Sequence, residues 1–212
     1  SSTECCGEHL WLTQSIPERS KNKDEWSVRA LNDIKTHYKT GKKQQNYYTI
    51  PMVAPVQFAS QALYIDAYLL GVLLGDGSTV NRTIMVSIGD KEIYQNIAPL
   101  LPDGHSINIS KDRGSWIDYR ITGKNQDNKM ITELDNLGLM SCRAWEKFVP
   151  DSYKIASVDQ RLSILQGLMD TDGCASGGTP LFSTTSKQLA VDVQFLTQSL
   201  GGRATISTIN SY

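Results

Sequence analysis

Asp76 and Asp172 are the two side chains whose setting points most directly to chemistry. Each closes an apolar run: Leu69-Leu70-Gly71-Val72-Leu73-Leu74-Gly75-Asp76-Gly77 in one case, Leu165-Gln166-Gly167-Leu168-Met169-Asp170-Thr171-Asp172-Gly173 in the other. Folded as helices, both runs put a carboxylate where the helix end already carries partial negative charge, which is locally unfavourable. Two such acids side by side at a helix contact repel further. A divalent cation relieves this, because ions of the Mg²⁺ type take carboxylate, carbonyl and water oxygens. One apolar helix ending in Asp-Gly is an ordinary helix-to-turn boundary. The recurrence is what asks for a shared chemical role.

The elements that must position the acids repeat as well. Gly71 and Gly75 in the first run, and Gly167 and Thr171 in the second, lie one turn apart and form a low stripe on which two helix backbones can approach. The first run has almost no polar face, as a helix buried on most sides should, and it is too short to span a membrane. Asp66 is placed to cap the first helix, and Ser157-Val158-Asp159-Gln160 has the capping-box form that opens the second. After each acid, at the same interval, comes a further cap, Asp90 and then Ser186. Each of these opens a helix with one apolar face: Ile93, Ile97 and Leu100 in the first copy, and Leu189, Val193, Leu196 and Leu200 in the second. Between acid and cap lie a turn and a short strand, over 83–88 and 180–185. The sequence therefore reads as an internal duplication.

Alternation assigns faces to the strands beyond. In His105 to Lys111 the isoleucines face the helices and Ser106, Asn108 and Ser110 face away. Trp116, Asp118, Arg120 and Thr122 alternate with Ile117, Tyr119 and Ile121, and residues 111–114, with Lys111 and Arg113, make the hairpin turn. In the second copy Arg203, Thr205 and Ser207 alternate with Ala204 and Ile206. Arg82, in the turn after the first acid, joins the same polar set. Such a face can read base edges in a major groove, and it is equally what the solvated side of an antiparallel sheet carries.

The two runs resemble the LAGLIDADG (DOD-type) motif of homing endonucleases encoded within inteins. That resemblance implies an α+β fold of two pseudosymmetric αββαββα repeats forming a saddle over DNA. It also implies metal-dependent double-strand cleavage, with Asp76 and Asp172 holding Mg²⁺ or another divalent cation aided by the carbonyls of Gly75 and Thr171. The expected partner is double-stranded DNA with a long asymmetric target, bound by a monomer. Glu146-Lys147-Phe148-Val149-Pro150 resembles the Lys-x-Ile-Pro segment before the second motif of such proteins, which implies that Lys147 lies near the scissile phosphate. Near the start, Cys6-Gly7-Glu8-His9 resembles the Thr-x-x-His segment of the intein splicing (Hint) domain, with Cys6 in place of threonine. There His9 would polarise a splice-junction peptide bond, and host exteins would flank the element in a precursor. An alternative within the same family is a nuclease-inactive DNA- or RNA-binding module, a regulator or a maturase.

The expected organisation is a partial splicing segment with a basic linker over 1–60, a first repeat over 61–156 and a second, C-terminally truncated repeat over 157–212. An intact intein opens with Cys or Ser and closes on His-Asn, so the sequence reads as an internal fragment. In the linker, Arg19, Lys21, Lys23, Arg29, Lys35, Lys39, Lys42 and Lys43 outnumber their acidic neighbours, and residues 50–53 suggest a short strand. Those cations suit DNA phosphates or plain solvation. With 212 residues, 40% hydrophobic and 20% charged, the chain can bury a substantial core. Its net charge of −1 leaves DNA binding to local placement of charge. Four cysteines without ligand spacing suggest reduced thiols inside a cell, and no signal peptide or membrane-spanning run is present.

Overall fold

The alternating residues near the start form strand β1 (Leu10–Ser15), which runs into a short helix α1 (Ile16–Lys21). It pairs antiparallel with β2 (Ser27–Ala30), which leads into α2 (Leu31–Thr36). A small ribbon follows, β3 (Lys39–Thr40) on β4 (Gln45–Asn46), and then β5 (Tyr48–Thr49), giving a three-stranded sheet in the order β2-β1-β5. The expected strand over 50–53 does not form, and pairing stops at Thr49. Pro51 has no N–H to give to a ladder. Glu18 ties α1 to the sheet by accepting from Ser15 N (2.6 Å), Ser15 Oγ (2.7 Å) and Ser27 Oγ (2.9 Å) and by pairing with Arg29. Arg29 is thus part of this packing and not a cation available to DNA.

In this computed structural model the described residues are 4–21, 24–41, 45–124 and 128–209, and the chain divides into two compact units, Ser1–Val53 and Ala54–Tyr212. Lys23, Lys42 and Lys43 of the basic segment, and the chain ends at Ser1 and Tyr212, lie outside the described residues.

The second unit carries the duplicated pattern. Its first copy runs α3 (Ala67–Asp76), β6 (Gly77–Ser78), β7 (Ile84–Ile88), α4 (Lys91–Ile97), β8 (His105–Asp112), β9 (Ile117–Gly123) and α5 (Lys129–Asn136), which is the expected αββαββα order. After a one-turn helix α6 (Asp151–Lys154), the second copy gives α7 (Val158–Asp172), β10 (Gly173–Ser176), β11 (Thr179–Phe182) and α8 (Lys187–Ser199). The four helix starts are capped as expected. Asp66 accepts from Tyr68 N at 2.8 Å, Asp90 from Glu92 N at 2.9 Å and Ser186 from Leu189 N at 3.1 Å, and Ser157 with Gln160 closes a full capping box. One core serves both copies: Leu69, Leu70, Val72 and Leu73 of α3 join Ile84 and Val86 of β7, Ile121 of β9, Ile164 and Leu168 of α7, and Leu189 and Leu196 of α8.

Three strand expectations are corrected. The first-copy sheet, in the order β6-β7-β9-β8, has a bulge between Ile109 and Lys111, so Ser110 drops out of register and Lys111 faces Asp118. Ile109, the last residue in register before the bulge, is 66% exposed and does not reach the core as its alternation predicted. In the second copy β11 ends at Phe182, where its pairing with Gly173 ends. Residues 203–207, expected as a strand carrying Arg203 and Thr205, join no ladder. Their first-copy counterpart β8 pairs only with β9, and the described residues hold no second-copy equivalent of β9.

Candidate active site and nucleic-acid face

The small residues of the two motifs bring α3 and α7 into backbone contact. A Cβ added at Gly71 would lie 3.0 Å from Gly167 Cα and closer still to the carbonyl oxygen of Ile164. One added at Gly167 would lie 2.9 Å from Val72 N and collide with the carbonyl oxygen of Tyr68. Gly75 faces the Thr171 side chain just as tightly. Only residues without bulk allow this, which explains the stripe in the sequence. Both helices then stop at an extended glycine, Gly77 (φ −86°) and Gly173 (φ −93°), whose N–H groups bond back to the carbonyls of Leu73 and Met169.

Asp76 and Asp172 therefore end adjacent helices at one place. Burial pushes the Asp172 carboxyl above the usual carboxylate range, the Asp76 charge adds to the rise, and the Lys147 charge opposes it. Burial raises Asp76 in the same direction, again against Lys147. Lys147 Nζ donates to the carbonyl oxygens of Gly77 (2.8 Å), Gly75 (2.9 Å) and Leu73 (3.3 Å), capping the C-terminus of α3 with positive charge. Its own desolvation lowers its pKa, and the charges of Asp172 and then Asp76 pull it back up.

This donor set fits a hard cation. Two desolvated carboxylates, with the Asp76 charge disfavouring ionisation of Asp172, beside helix-terminal carbonyls, are oxygen ligands short of positive charge. Gly75 is engaged by Lys147 through one lone pair, and a carbonyl oxygen has a second. Among the described residues no group of three or more His, Cys, Asp or Glu side chains could hold a metal, so the candidate site is the acid pair itself.

The sheet face is largely as expected. Ser106, Asn108 and Lys111 on β8 share one side with Thr122, Arg120 and Asp118 on β9, following the register of the pair. Ser106, Asn108 and Thr122 form a hydrogen-bonded cluster, with Asn108 Nδ2 donating to Ser106 Oγ at 3.1 Å, while Arg120 is exposed and Trp116 is 46% exposed at the hairpin end. Ser110 sits in the bulge. Arg113, 43% exposed, pairs through Nε with Asp118 (2.8 Å), whose carboxyl Arg113 and then Ser87 hold below its usual range. Arg82 is exposed, 3.7 Å from Asp135, on a turn where Asn81 and Arg82 both adopt positive φ (54° and 52°). Arg203 and Thr205 lie exposed on the unpaired segment, which Gln194 Nε2 holds through a bond to the Ala204 carbonyl at 3.1 Å.

In the first unit, His9 is exposed just before β1, with its ring edge-on to Trp11 at 5.2 Å and its backbone N–H donating to the Cys6 carbonyl. All four cysteines are free thiols. Sequence reasoning missed an interhelix link between the two motifs: Tyr68 Oη donates to Asp170 Oδ2 at 2.7 Å, and burial pushes the Tyr68 hydroxyl up to about 12. Its only sequence signal is that both residues break otherwise apolar stretches near the packed stripe.

Comparison with known proteins agrees with this geometry. Residues 159–212 match the family described as "LAGLIDADG-like domain". The chain is 31% identical over 163 residues to the replicative DNA helicase DnaB of a Nostoc species, and 34% identical over 162 residues to that of a Synechocystis species. These matches take in 69% and 67% of this chain, but the chain spans only 18% of the length of either helicase. Among solved structures, I-DmoI in complex with DNA and Mn superposes with a TM-score of 0.51 at 20% identity, covering 69% of this chain and 82% of that one. Mesophilic variants of the homing endonuclease I-DmoI give a TM-score of 0.50. The chain carries a LAGLIDADG-like domain on the fold of a homing endonuclease, as the paired motifs implied.

Proposed function

We propose that this chain is the endonuclease portion of an intein and makes site-specific, divalent-metal-dependent double-strand cuts in DNA. The observation that carries this reading is the meeting of Asp76 and Asp172 at the ends of two helices in backbone contact, with Lys147 over the end of one. Asp76 and Asp172, with the carbonyls of Gly75 and Thr171, would hold the cation, Mg²⁺ being the physiological candidate. A bound divalent cation offsets charge on phosphate oxygens and lowers the pKa of water.

The protein's own groups do the rest. The glycine stripe fixes the separation of the acids, so that little rearrangement is needed when a phosphate arrives. The Lys147 ammonium would meet negative charge developing near the end of α3. Ser106, Asn108, Lys111, Trp116, Arg120 and Thr122 would read one half of the target, while Arg82 and Arg113 contact the backbone. Arg203 and Thr205 would serve the other half once their segment is paired. Two unequal half-sites on one chain suit a long asymmetric target and a monomer. That I-DmoI was crystallised with DNA and Mn supports both ligands.

The intein context is supported by a chain with this fold matching stretches of DnaB helicases while spanning a fifth or less of their length. In that setting the unit containing His9 would serve splicing and the flanking helicase segments would be the exteins.

The test is incubation of the protein with a randomised library of long DNA duplexes, with and without Mg²⁺ or Mn²⁺, beside Asp76→Asn and Asp172→Asn. Double-strand cuts at a defined sequence, lost without metal and in both variants, are expected. Tight binding with no cutting under either metal would replace this reading with that of a nuclease-inactive binding module.

A further inference from the structure

Lys147 sits on an extended segment between the two copies (φ −62°, ψ 145°), with its ammonium on three carbonyls at the end of α3. That segment is gripped from the far side by α8. Ser186, which caps α8 by accepting from Leu189 N, donates its hydroxyl to the Lys147 carbonyl oxygen at 2.6 Å. Two residues further on, Val149 N–H donates to Asp192 Oδ2 at 2.8 Å. Asp192 is 2% exposed, and its other oxygen accepts from Gln188 Nε2 (3.0 Å) and Lys154 Nζ (3.2 Å). Val149 and Pro150 are buried, so the backbone there cannot slide without breaking these bonds.

A carboxylate buried on the apolar face of a helix is costly unless its acceptors are filled, and here one of them is filled by a single backbone N–H of the lysine's own segment. We infer that Ser186 and Asp192 are positioning residues that aim Lys147, so that the second copy sets the place of the ammonium over the first motif. The inference rests on Lys147 acting at the proposed nuclease site. Neither Ser186 nor Asp192 has a bond to Asp76 or Asp172, so both act through the lysine.

The experiment compares Asp192→Ala and Ser186→Gly with the conservative Asp192→Asn and Ser186→Thr. Glycine retains most of a serine cap, so the Ser186 variant isolates the lost bond to Lys147 and keeps the test alive if Asp192→Ala does not fold. The first readout is reductive methylation of Lys147 by formaldehyde and borohydride, quantified by mass spectrometry against the exposed Lys129 and Lys187, with neither DNA nor metal present. A rise of about tenfold in the disrupting variants, restored by the conservative ones, is expected from loss of one buried hydrogen bond. The second is cutting of duplexes by the same variants in wild-type and Lys147→Ala backgrounds. A fall of about tenfold at unchanged DNA affinity is expected in wild type, with no further fall when Lys147 is already absent. Unchanged labelling, or losses that add to that of Lys147→Ala, would overturn the inference. If the wild-type protein cuts no duplex, the nuclease reading fails, and the labelling result alone still decides whether α8 positions Lys147.

Discussion

Gly167→Ala should destabilise the second unit, although alanine is the better helix former. The new methyl would lie 2.9 Å from Val72 N, 3.1 Å from the Gly71 carbonyl carbon and nearer still to the Tyr68 carbonyl oxygen. All three are backbone atoms, so no side chain can swing aside. The helices must separate, by about 1 Å to restore ordinary contact. Forcing atoms into a packed interface costs about 3 kcal/mol at the upper end of the usual range, against about 1 kcal/mol gained in helix propensity. The net loss is about 2 kcal/mol, or roughly 4–8 °C in the melting temperature of a unit this size. Thermal unfolding followed by circular dichroism measures it, with Gly89→Ala as control because its methyl would meet only Ser115 O at 3.6 Å. A Gly167→Ala protein that melts at or above wild type would refute the close approach of α3 and α7.

Asp172→Asn should raise the melting temperature near neutral pH, because burial and the Asp76 charge disfavour the ionised carboxyl in the folded state. The gain should shrink as pH falls through the raised carboxyl pKa and wild type acquires its own proton, so an advantage that grows on acidification contradicts the assignment. In the first unit, Arg29 and then the Ser15 bonds hold Glu18 down to about 2. The stability it contributes is therefore present above the ordinary carboxylate range and lost as pH falls through that value. Carboxyl titration by NMR should find the low midpoint in wild type and a clear upward shift in Arg29→Ala. Arg161, fully buried, donates to the carbonyls of Ala156 (3.0 Å) and Val56 and to Ser199 Oγ (2.5 Å), with its guanidinium 4.9 Å from the centre of the Phe58 ring. Arg161→Ala empties a fully buried side-chain site and leaves the carbonyl of the buried Ala156 without this donor, and should cost about 3 kcal/mol in a denaturant melt; a loss within experimental error would show that the clamp holds nothing.

What was legible in the sequence was local or repeated. Caps announce themselves through one short polar side chain at a fixed offset, so Asp66, Asp90, Ser157 and Ser186 could be placed without a structure. The glycine stripe was legible because close helix approach admits few residue types. The bulge at Ser110 was not, since alternation counts residues and one extra residue leaves no mark on composition. The ladder expected over 203–207 failed for a related reason: a strand is a property of a pair, and the sequence of one member does not show whether its neighbour is present. At the site, the acids could be read from their unfavourable setting, but the contacts of Lys147 could not, because its partners are backbone carbonyls distant in the chain. Asp192 carries no signal in the sequence, and only the position of Val149 N–H shows what it serves.

The claim on which the rest depends is that Asp76 and Asp172 form one divalent-cation site, and Mn²⁺ titration followed by paramagnetic broadening of amide signals tests it most directly, in the free protein and with a DNA duplex present. Saturable broadening centred on Gly77 and Gly173, abolished by either Asp76→Asn or Asp172→Asn, is the predicted result. Broadening that is absent with and without DNA, or that survives in both variants, would contradict it.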